Sequence, residues 1–474
     1  MRKTKIICTI GPASETAQVL RQLILAGMNV ARLNFSHGSH EEKALLIEKL
    51  CAIRGELRIP LAILADTKGP EIRLGLIPGG PVELIEGQTF TLTTLECSGD
   101  AHRVHVNYPG LPGDIAAGGH ILLDDGLIDL LVCSKTDTDI VCTVLNGGYI
   151  SSRKGVNVPG TKLRLPYISS QDRDDLRFIA SHPFSYVAAS FVRSVDDICA
   201  IREELARHGR KDLKIIAKIE NAEGLQNIDS IMDTADGIMV ARGDLGVEVP
   251  LEELPVLQKK LIKDARHRGV PVITATQMLE SMVSKPRPTR AEISDVANAV
   301  YDGSSAVMLS GETAVGAFPF EACHCMSRVA ERTERDINYH ERFKTVEYER
   351  KGTVTNAVAR AAVTTAHELN CRAILTMTKS GNTARNIAKF RPAPPIIACT
   401  PSAGTYHQLA FNWGVIPLMI PECDSSATDL EALSVSAAKQ AGLLQAGDSA
   451  VFTAGIPLGQ IGATNMLKVN VVGK

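Results

Sequence analysis

A lysine and a glutamate end one short apolar segment of the sequence. The segment reads LKIIAKIENAEG (residues 213–224), and Lys218 and Glu220 stand two positions apart within it. Side chains two positions apart on a β-strand point to the same side, so an ammonium group and a carboxylate would share one location. They form either a solvated ion pair at a strand edge or part of an active site. On this segment alone the ion pair is the better interpretation, because strand edges often carry charged side chains.

Polar residues also follow five further apolar segments that are typical of strands. They are Arg32, Asn34 and Ser36 after the second segment, Asp66, Thr67, Lys68, Glu71 and Arg73 after the third, Arg242, Gly243 and Asp244 after the sixth, Thr274 and Thr276 at the end of the seventh, and Ser310 and Glu312 after the eighth. Charges with a purely structural role should occur at both ends of strands and on helices. Their concentration at carboxyl ends therefore favours an active site, where side chains from several strands meet.

These residue types suit the transfer of a phosphoryl group. Glu220 and Asp244 supply two carboxylates, and Mg²⁺ binds through one or two carboxylates while it keeps waters and shares substrate oxygens. Arg32, Arg73 and Lys218 supply the positive charge that a transferring phosphoryl group needs. The segment ARGDLG predicts free backbone N–H groups at a helix start, which bind carboxylate or phosphate. The sequence contains no Walker A motif and no kinase glycine-rich loop, so any nucleotide is bound in another way.

A second group of oxygen ligands follows the second and third segments. The side chains of Asn34, Ser36 and Asp66, together with the carbonyl of Thr67, would form an oxygen cage of low charge. Hard cations prefer oxygen ligands, and a cage with only one carboxylate suits a monovalent ion better than a divalent one. The sequence therefore predicts a monovalent-cation site beside the divalent one.

Eight short apolar segments alternate with helical patterns through about two-thirds of the chain. They are rich in Ile, Val and Ala, as in parallel strands that are buried on both faces. They cover residues 6–10, 29–35, 61–65, 186–190, 214–219, 237–241, 271–275 and 306–309. Eight alternations of strand and helix predict an α/β fold, a (β/α)8 TIM barrel. A doubly wound open sheet also alternates in this way and remains the alternative.

Two regions interrupt or follow this alternation. Between residues 70 and 167 helical periodicity disappears, and VELIEGQTFTLTT, HILLDDGLIDLLVC and DIVCTVLNGG read as strands separated by Gly, Asp and Asn turns. This pattern predicts an inserted all-β lid domain at the carboxyl face of the barrel. From about residue 353 alternating helix and strand patterns predict a third, C-terminal domain, an open-sheet α/β unit.

Composition limits the class of protein. The chain of 474 residues has a formal net charge of −2, so no overall field attracts nucleic acid or an acidic membrane. No apolar segment approaches the roughly 18 residues of a membrane-spanning helix. Eleven cysteines without a repeated C-x-x-C spacing, in a chain without an export signal, indicate a reducing cytoplasm. Cys323, His324 and Cys325 would diverge around a helix axis, which favours core packing over a metal site.

Ten segments, in order along nearly the whole chain, resemble the pyruvate kinase family, in particular bacterial members without an extra C-terminal domain. The segments are CTIGP, NVARLNFSHG, DTKGPEIR, DDGLI, KGVNVPG, KIENAEG, GIMVARGDLGVE, TATQMLESM, KPRPTRAE and AVMLSGETA. The resemblance implies a catalytic barrel at residues 1–69 and 168–345, an inserted β-barrel lid at 70–167 and a C-terminal α/β regulatory domain at 346–474. It also implies the last step of glycolysis, in which phosphoenolpyruvate and ADP give pyruvate and ATP.

The resemblance implies roles for individual residues as well. Lys218 is similar to the family lysine that bridges the phosphoryl group and the enolate oxygen, while Thr276 and Ser310 belong to the proton path, with water as the direct donor. The implied catalytic residues are Lys218, Arg32, Thr276 and Ser310, and the substrate-binding residues are Arg32, Ala241, Gly243, Asp244 and Thr276. The implied nucleotide contacts are Arg73, Lys154, Asn34 and His37. The implied metal ligands are Glu220 and Asp244 for Mg²⁺ (or Mn²⁺) and Asn34, Ser36, Asp66 and Thr67 for K⁺.

The resemblance carries three further expectations. An acid, Glu71, stands where a lysine replaces the monovalent cation in members that need none, so we expect K⁺ dependence; the alternative is a solvated loop residue. The segment TMTKSGNTA is either a plain strand–helix turn or similar to an effector phosphate loop, with the residues Thr378, Lys379, Ser380, Gly381 and Thr383. The segment AGIPLGQIGATN lacks the Trp and Arg that grip fructose 1,6-bisphosphate, which leaves a sugar monophosphate, a nucleotide or no effector. A homotetramer is expected from the family.

Two other functions remain open at this point. Mg²⁺-dependent aldolases and lyases that act on phosphoenolpyruvate or pyruvate use similar barrels, but they lack the β insertion and the DTKGPEIR segment. A catalytically dead metabolite sensor would use only the C-terminal domain. The presence of Arg32, Lys218, Glu220 and Asp244 argues against the sensor.

Overall fold

The computed structural model describes residues 2–345, 352–422, 426–456 and 464–473. The chain begins with three strands and two helices, namely β1 (Lys5–Thr9), α1 (Ala17–Ala26), β2 (Val30–Asn34), α2 (His40–Leu57) and β3 (Ala62–Asp66). Strands β1 and β3 are buried along their whole length, as expected where a parallel sheet is covered on both faces. The pairing of β2 with β3 places Asn34 directly opposite Asp66, so two of the predicted K⁺ ligands lie side by side.

The chain then enters the predicted lid. Its elements are β4 (Val82–Leu84), β5 (Thr89–Thr93), β6 (Arg103–His105), α3 (Leu111–Asp114), β7 (His120–Leu123), β8 (Ile128–Lys135), β9 (Asp139–Val144), β10 (Gly148–Ile150) and β11 (Val156–Asn157). Six strands form one sheet in the order β11-β7-β8-β9-β5-β6, and β10 pairs with β4. Single bridges, Arg73 to Gly155 and Leu74 to Val106, join the two edges of the large sheet. The expected all-β lid is therefore present as one large sheet whose edges are joined through two isolated bridges.

The remaining elements of the barrel follow the lid. They are α4 (Ser170–Ser181), β12 (Tyr186–Ala189), α5 (Val195–Arg207), β13 (Lys214–Ile219), α6 (Ala222–Gln226), α7 (Ile228–Thr234), β14 (Gly237–Ala241), α8 (Arg242–Glu248), α9 (Leu254–Arg268), β15 (Val272–Ala275), α10 (Arg290–Asp302), β16 (Ala306–Leu309), α11 (Gly311–Ala314) and α12 (Pro319–Asp336). The barrel closes in the order β1-β16-β15-β14-β13-β12-β3-β2. The predicted (β/α)8 barrel is therefore confirmed, and the open doubly wound sheet is excluded because β1 pairs with β16. All eight predicted strands are present, with bounds within one residue of the prediction.

The last elements form an open α/β sheet. They are α13 (Tyr339–Thr345), α14 (Val354–Glu368), β17 (Ala373–Met377), α15 (Asn382–Ala388), β18 (Ile396–Thr400), α16 (Ala403–Gln408), β19 (Val415–Met419), α17 (Ala427–Gln440), β20 (Ser449–Ala454) and β21 (Met466–Val471). The strand order is β19-β18-β17-β20-β21, and only β21 runs antiparallel to its neighbour. The sequence analysis missed β21, an edge strand that is mostly exposed and so lacks a continuous apolar run. The domain boundary predicted at residue 346 and residues 457–463 of AGIPLGQIGATN lie outside the described residues.

A segment of the C-terminal domain closes the amino end of the barrel. Ala410 and Phe411 pack with the side chains that fill the barrel interior. The ring of Phe411 meets that of Tyr186 edge-on at 4.9 Å, and the Tyr186 hydroxyl donates to the Gln408 carbonyl at 2.9 Å. Lys5, at the start of β1, donates to the Val415 carbonyl at 2.8 Å. These contacts cover the amino end of the barrel and leave its carboxyl end facing the lid.

Two sequence expectations about composition agree with the structure. The ten cysteines within the described residues are free. Cys323 is buried in the barrel core, whereas His324 on the same helix is exposed, so the Cys-His-Cys trio diverges as expected. None of the helices in the described ranges has both the length and the apolar character needed to cross a membrane.

Candidate active site

A cleft of 520 Å³ lies between the lid and the carboxyl ends of the barrel strands. The lid contributes Arg73 and Lys154 to its wall, and the barrel contributes His37, Phe191 and Asp244. These residues come from distant parts of the sequence, and the polar groups at the carboxyl ends of six strands were expected to meet in this region. The cleft is therefore the candidate active site.

Lys218, near the end of β13, lies at the centre of a buried polar cluster beside this cleft. Its ammonium group donates to Ser190 Oγ at 2.7 Å and to Asp66 Oδ1 at 3.1 Å, and it lies 2.9 Å from Glu220 Oε1. Both Lys218 and Glu220 are buried, so the pair is not a solvated ion pair. Asp244, the second predicted Mg²⁺ ligand, follows β14, the strand that pairs with β13 and so neighbours Lys218 and Glu220 in the barrel.

The surrounding charges decide which form each group of the cluster takes. Burial alone would lower the pKa of Lys218, but the carboxylates of Asp66 and Glu220 hold that pKa above its usual value, so the side chain stays an ammonium. Burial alone would raise the pKa of Asp66, yet Arg32 and Lys218 hold it below its usual value. Burial raises the pKa of Glu220 to about 8, although Lys218 lies beside it. Glu220 is thus the carboxyl group of this cluster that needs further positive charge to stay ionised.

The two carboxylates fit a divalent cation. Glu220 Oε1 is buried and pairs with the Lys218 ammonium at 2.9 Å, and it has no other polar partner among the described residues, so it can also bind a further ligand. The second oxygen of Glu220 accepts the N–H of Phe191 at 2.6 Å, which orients the carboxylate. Among the described residues, no group of three His, Cys, Asp or Glu side chains forms a metal cage. A site with only Glu220 and Asp244 leaves positions for water and substrate, as Mg²⁺ prefers.

Arg32 shares Asp66 with Lys218. Its Nε donates to Asp66 Oδ2 at 2.6 Å, and its Nη1 donates to Thr9 Oγ1 at 2.8 Å. The sequence analysis assigned Asp66 only to the K⁺ site. The structure gives it a second role, because one buried carboxylate holds the two predicted phosphoryl-binding cations in place.

The four oxygens predicted to bind K⁺ lie on two adjacent strand ends. Asn34 and Asp66 are register partners, Asn34 Oδ1 accepts the N–H of Ser36 at 3.0 Å, and the Thr67 carbonyl accepts the Ser190 hydroxyl at 2.7 Å. One carboxylate and neutral oxygens make a donor set of low charge, which fits a monovalent cation. Because the oxygens of Asn34, Asp66 and Thr67 already accept hydrogen bonds, these three are oriented by the protein before any cation binds.

Glu71 follows the third predicted strand and is paired within the structure, so it is not a solvated loop residue. Its carboxylate accepts from Arg73 Nε at 2.8 Å, and its side chain is 19% exposed. The acid therefore neutralises an arginine of the cleft wall. It supplies no cation of its own to the oxygen cage, which is the electrostatic basis for expecting K⁺ dependence.

The predicted seat for the substrate carboxylate forms where β14 runs into α8. Ala241 precedes the first turn of α8, which contains Gly243 and Asp244 and has no side-chain cap, so the N–H groups of this turn lack helical partners. Thr276 lies against Gly243, where an added Cβ would come within 3.1 Å of the threonine methyl group. Thr276 also has a φ of +71°, a left-handed conformation that costs about 1–3 kcal/mol for a branched residue and clusters at functional sites.

Arg242 supports this seat rather than facing the cleft. Its Nε donates to the carbonyls of Ala275 and Thr276, each at 3.1 Å, and its Nη1 pairs with the Asp295 carboxylate at 2.7 Å. The guanidinium group thereby holds the carbonyl of the strained Thr276. The sequence analysis grouped Arg242 with the strand-end polar residues, and the structure gives it a scaffolding role.

The predicted nucleotide contacts come from both sides of the cleft. Lys154 pairs with Asp124 at 2.8 Å within the lid, and Arg73 Nη1 donates to the Arg153 carbonyl at 2.9 Å. His37 lines the cleft from the barrel side, and Asn34 ends β2 below it. The lid and the barrel therefore each carry predicted nucleotide contacts.

Two of the strand-end polar residues have structural roles instead. Thr274 is buried, and its hydroxyl lies 2.7 Å from that of Ser304. Glu312 is fully buried and accepts the N–H groups of Leu279 at 2.9 Å and Ser310 at 2.7 Å. It thus ties together the loops that follow β15 and β16, and it fixes the backbone of Ser310, the predicted proton-path residue.

The sequence analysis missed Ser190. This residue follows β12 and contacts Lys218, Thr67 and Asp66, so it joins the predicted catalytic and K⁺ groups. The available signal was a hydroxyl at the carboxyl end of the fourth predicted strand, the same position that drew attention to the other residues. The next residue, Phe191, has a φ of +54°, and this left-handed turn directs its N–H to Glu220.

The predicted effector loop lies in the C-terminal domain, between β17 and α15. Gly381 has a φ of +78° at the start of α15, Lys379 pairs with Glu422 at 2.9 Å, and the Thr383 hydroxyl lies 2.7 Å from that of Thr464. Thr378 and Ser380 belong to the same turn. The residues are close in space, and their role as an effector site stays a prediction.

Comparison with known proteins agrees with this geometry. Residues 1–323 match the model of the pyruvate kinase barrel domain, and residues 356–470 match that of the pyruvate kinase alpha/beta domain. The pyruvate kinase of Geobacillus stearothermophilus is 49% identical over 473 residues, which cover 99% of this chain and 80% of that protein. The pyruvate kinase of Clostridium acetobutylicum is 45% identical over 473 residues, which cover the whole of both chains. With both domains matched in order and full-length relatives above 40% identity, the chain belongs to the pyruvate kinase family.

Proposed function

We propose that this protein transfers the phosphoryl group of phosphoenolpyruvate to ADP and so forms pyruvate and ATP. The observation that supports it best is the convergence of Lys218, Arg32, Asp66 and Glu220 in one buried cluster beside the cleft under the lid. Cations that are held in place by buried carboxylates are what the transfer of a highly charged group requires. Membership of the family, which rests on independent evidence, supports the same reaction.

In this proposal Lys218 stabilises the charge that develops during transfer. Its ammonium group is held by three oxygens, on Ser190, Asp66 and Glu220, and its raised pKa keeps it protonated at neutral pH. A group that is oriented before the reaction costs no reorganisation in the transition state. Arg32 and Arg73 bind the phosphates, and Lys154, Asn34 and His37 complete the nucleotide contacts.

Two cations complete the proposed site. Glu220 and Asp244 would hold Mg²⁺ (or Mn²⁺), which supplies Lewis-acid stabilisation of phosphoryl charge. Asn34, Ser36, Asp66 and the Thr67 carbonyl would hold K⁺. The first assignment is supported by the buried Glu220 oxygen, whose one recorded partner among the described residues is the Lys218 ammonium, and the second by the hydrogen-bonded oxygens of Asn34 and Thr67.

The second half of the reaction is the protonation of the enolate to give pyruvate. We assign the carboxylate of the substrate to the N–H groups at Gly243 and Asp244, with Ala241 and Thr276 beside them. Thr276 and Ser310 would form the proton path, with water as the direct donor. Thr276 has a strained, left-handed backbone conformation, and Arg242 donates to its carbonyl. This supports the role, because strained conformations that the surrounding structure stabilises cluster at functional sites.

The proposal extends to organisation and regulation. We assign residues 1–69 and 168–345 to the catalytic barrel, 70–167 to the lid and 346–474 to a regulatory domain that binds a sugar phosphate or a nucleotide at 378–383. The family likeness supports a cytoplasmic homotetramer with phosphoenolpyruvate and ADP as its partners. Contacts from Phe411 and Gln408 into the floor of the barrel support coupling between the regulatory domain and the strands that carry Lys218.

A single coupled assay tests the proposal. The protein is mixed with Mg²⁺, K⁺, phosphoenolpyruvate and ADP, and pyruvate is followed through an NADH-linked reduction, with ADP left out of a parallel reaction. We expect pyruvate only when ADP is present, together with an equal amount of ATP. Pyruvate that forms without ADP would favour a lyase or a phosphatase, and the absence of pyruvate with any effector would favour the sensor.

A further inference from the structure

Helix α4 carries two buried carboxylates that each hold a different loop of the barrel mouth. Asp172 is 4% exposed and Asp175 is 2% exposed. Residues three positions apart on a helix are neighbours on its surface, so the two carboxylates present one acidic edge. Neither residue belongs to the predicted catalytic or metal-binding groups.

Asp172 holds the loop that follows β3. Its Oδ1 accepts the N–H of Gly69 at 3.2 Å, and its Oδ2 accepts the N–H of Ser169 at 2.9 Å and the Ser169 hydroxyl at 2.6 Å. Gly69 has a φ of +71°, and an added Cβ would meet the Ser190 carbonyl at 2.9 Å, so the backbone there is tightly placed. Asp172 therefore fixes the segment immediately after Asp66 and Thr67.

Asp175 holds the loop that follows β2. Its Oδ1 accepts from His40 Nε2 at 2.6 Å, and the His40 ring stacks on Phe178 of the same helix with centroids 4.5 Å apart. His40 is the first residue of α2 and directly follows the turn at residues 35–39. From the first turns of α2, Lys43 donates to the carbonyls of His37 and Gly38.

The two held loops are the two halves of the proposed K⁺ site. Asn34 ends β2 and Ser36 lies in the loop after it, and Asp66 ends β3 and Thr67 lies in the loop after it. Side chains that orient metal ligands are worth about 10–100-fold in metal affinity when they are removed. An oxygen cage selects a cation through the spacing and orientation of its oxygens, so a rigid support for both halves has a direct effect on affinity.

We propose that Asp172 and Asp175 are positioning residues that hold the two halves of the monovalent-cation site in a fixed relation. This inference rests on the proposed K⁺ dependence. Asp172 fixes the half that contains Asp66 and Thr67, and Asp175 fixes, through His40, the half that contains Ser36. Helix α4 acts as the common frame, because both contacts start from adjacent positions on one rigid element.

The test compares four single variants and one double variant with the wild-type protein. Asp175→Ala removes the acceptor for His40, and Asp175→Asn keeps an acceptor oxygen but loses the charge. Asp174→Asn is the matched control, since Asp174 lies on the same helix, is 58% exposed and pairs only with Arg177 in the described contacts. Each protein is titrated with KCl against tetramethylammonium chloride at constant ionic strength. The melting temperature is recorded without substrates, and the rate of pyruvate formation is recorded with them.

We expect the half-saturating K⁺ concentration of Asp175→Ala to rise by about 10-fold in both measurements. Asp175→Asn should show a smaller rise, and Asp174→Asn should match the wild type. The limiting rate at saturating K⁺ should change much less than the K⁺ requirement, because the chemical groups stay intact. His40→Phe keeps the ring stacked on Phe178 but cannot donate, so it should reproduce Asp175→Ala, and the double variant should add little.

Three results would overturn the inference. If K⁺ activates and stabilises the wild type and the Asp175 variants require the same K⁺ concentration, the positioning role is wrong and the proposed function stands. If pyruvate forms at the same rate without K⁺ in the wild type, the K⁺ assignment and this inference both fail while phosphoryl transfer stands. If Asp174→Asn shifts the K⁺ requirement as far as Asp175→Asn, the effect is one of general charge. Should Asp175→Ala fail to fold, Asp175→Asn and His40→Phe carry the same comparison.

Discussion

Replacing Lys218 by methionine separates the chemistry of the site from its packing. Methionine has nearly the length of lysine and can occupy the same buried space, but it cannot donate to Ser190, Asp66 or an incoming phosphoryl group. Loss of one pre-oriented electrostatic group costs about 10²–10³-fold in turnover, or about 2.7–4 kcal/mol. We therefore expect turnover to fall by at least about 10²-fold, with a much smaller change in the overall fold.

The effect of Lys218→Met on stability follows from the charges that remain. Breaking a buried ion pair costs about 3–5 kcal/mol when a charge is left uncompensated. Here Asp66 keeps its contact with Arg32 at 2.6 Å, and burial already raises the pKa of Glu220, so loss of the neighbouring ammonium favours the neutral carboxyl form. The expected loss is therefore nearer to the 1–3 kcal/mol of an unsatisfied buried acceptor.

The assay is initial-rate pyruvate formation at saturating substrates, with melting temperature and circular dichroism as checks of folding. Lys214→Met is the matched control, because Lys214 lies on the same strand at its opposite end and pairs with Asp236 at 2.9 Å. We expect this control to stay within about twofold of the wild-type turnover, as for surface groups remote from the chemistry. A folded Lys218→Met variant that keeps more than a fifth of wild-type turnover would remove Lys218 from the mechanism.

Four further outcomes are expected. Phe411→Ala should destabilise the protein by about 3–5 kcal/mol in urea unfolding, because it empties the floor of the barrel, while Leu369→Ala at an exposed position should be nearly neutral. Thr276→Gly should relieve the strain of the left-handed backbone conformation and so raise the melting temperature slightly. It should also lower turnover because the hydroxyl is lost, and a fully active variant would exclude the proton-path role. Burial, and next the charge of Arg54, lowers the pKa of His407 to about 4. Between about pH 6.5 and 4 the unfolded state therefore binds more protons than the folded state, so the free energy of unfolding falls as the pH falls. His407→Gln should make the melting temperature fall less steeply over this range, and an unchanged slope would contradict the assignment. Replacement of K⁺ by tetramethylammonium should lower turnover strongly, and an equal rate would mean that the oxygen cage has no catalytic role.

Much of the barrel was predictable because burial leaves a local trace in the sequence. A strand that is covered on both faces must be apolar over its whole length, and β13 and β14 have the predicted bounds. Edge strands leave no such trace, which is why β21 was missed. The closure of the lid by single bridges at Arg73 and Leu74 was equally invisible, since an isolated bridge imposes no pattern on its neighbours.

The candidate site was predictable as a set of residues but not as a network. Position at a strand end placed Lys218 and Asp66 correctly near each other, although 152 residues separate them. The same rule also selected Thr274 and Glu312, whose hydroxyl and carboxylate instead satisfy neighbouring groups of the barrel wall. Ser190 was overlooked because a single serine at the end of an apolar run has no distinctive type or spacing.

The sequence by itself determined which segments become strands and which residue types stand at their carboxyl ends, because strand periodicity and burial act over a few neighbouring residues. Only the tertiary structure decided which of those polar groups point into the site and which satisfy the scaffold, because that choice depends on partners that are distant in the chain. The contacts of Asp66 with Arg32 and Lys218, and the hold of Asp172 and Asp175 on two separate loops, exist only after the ring of strands has closed.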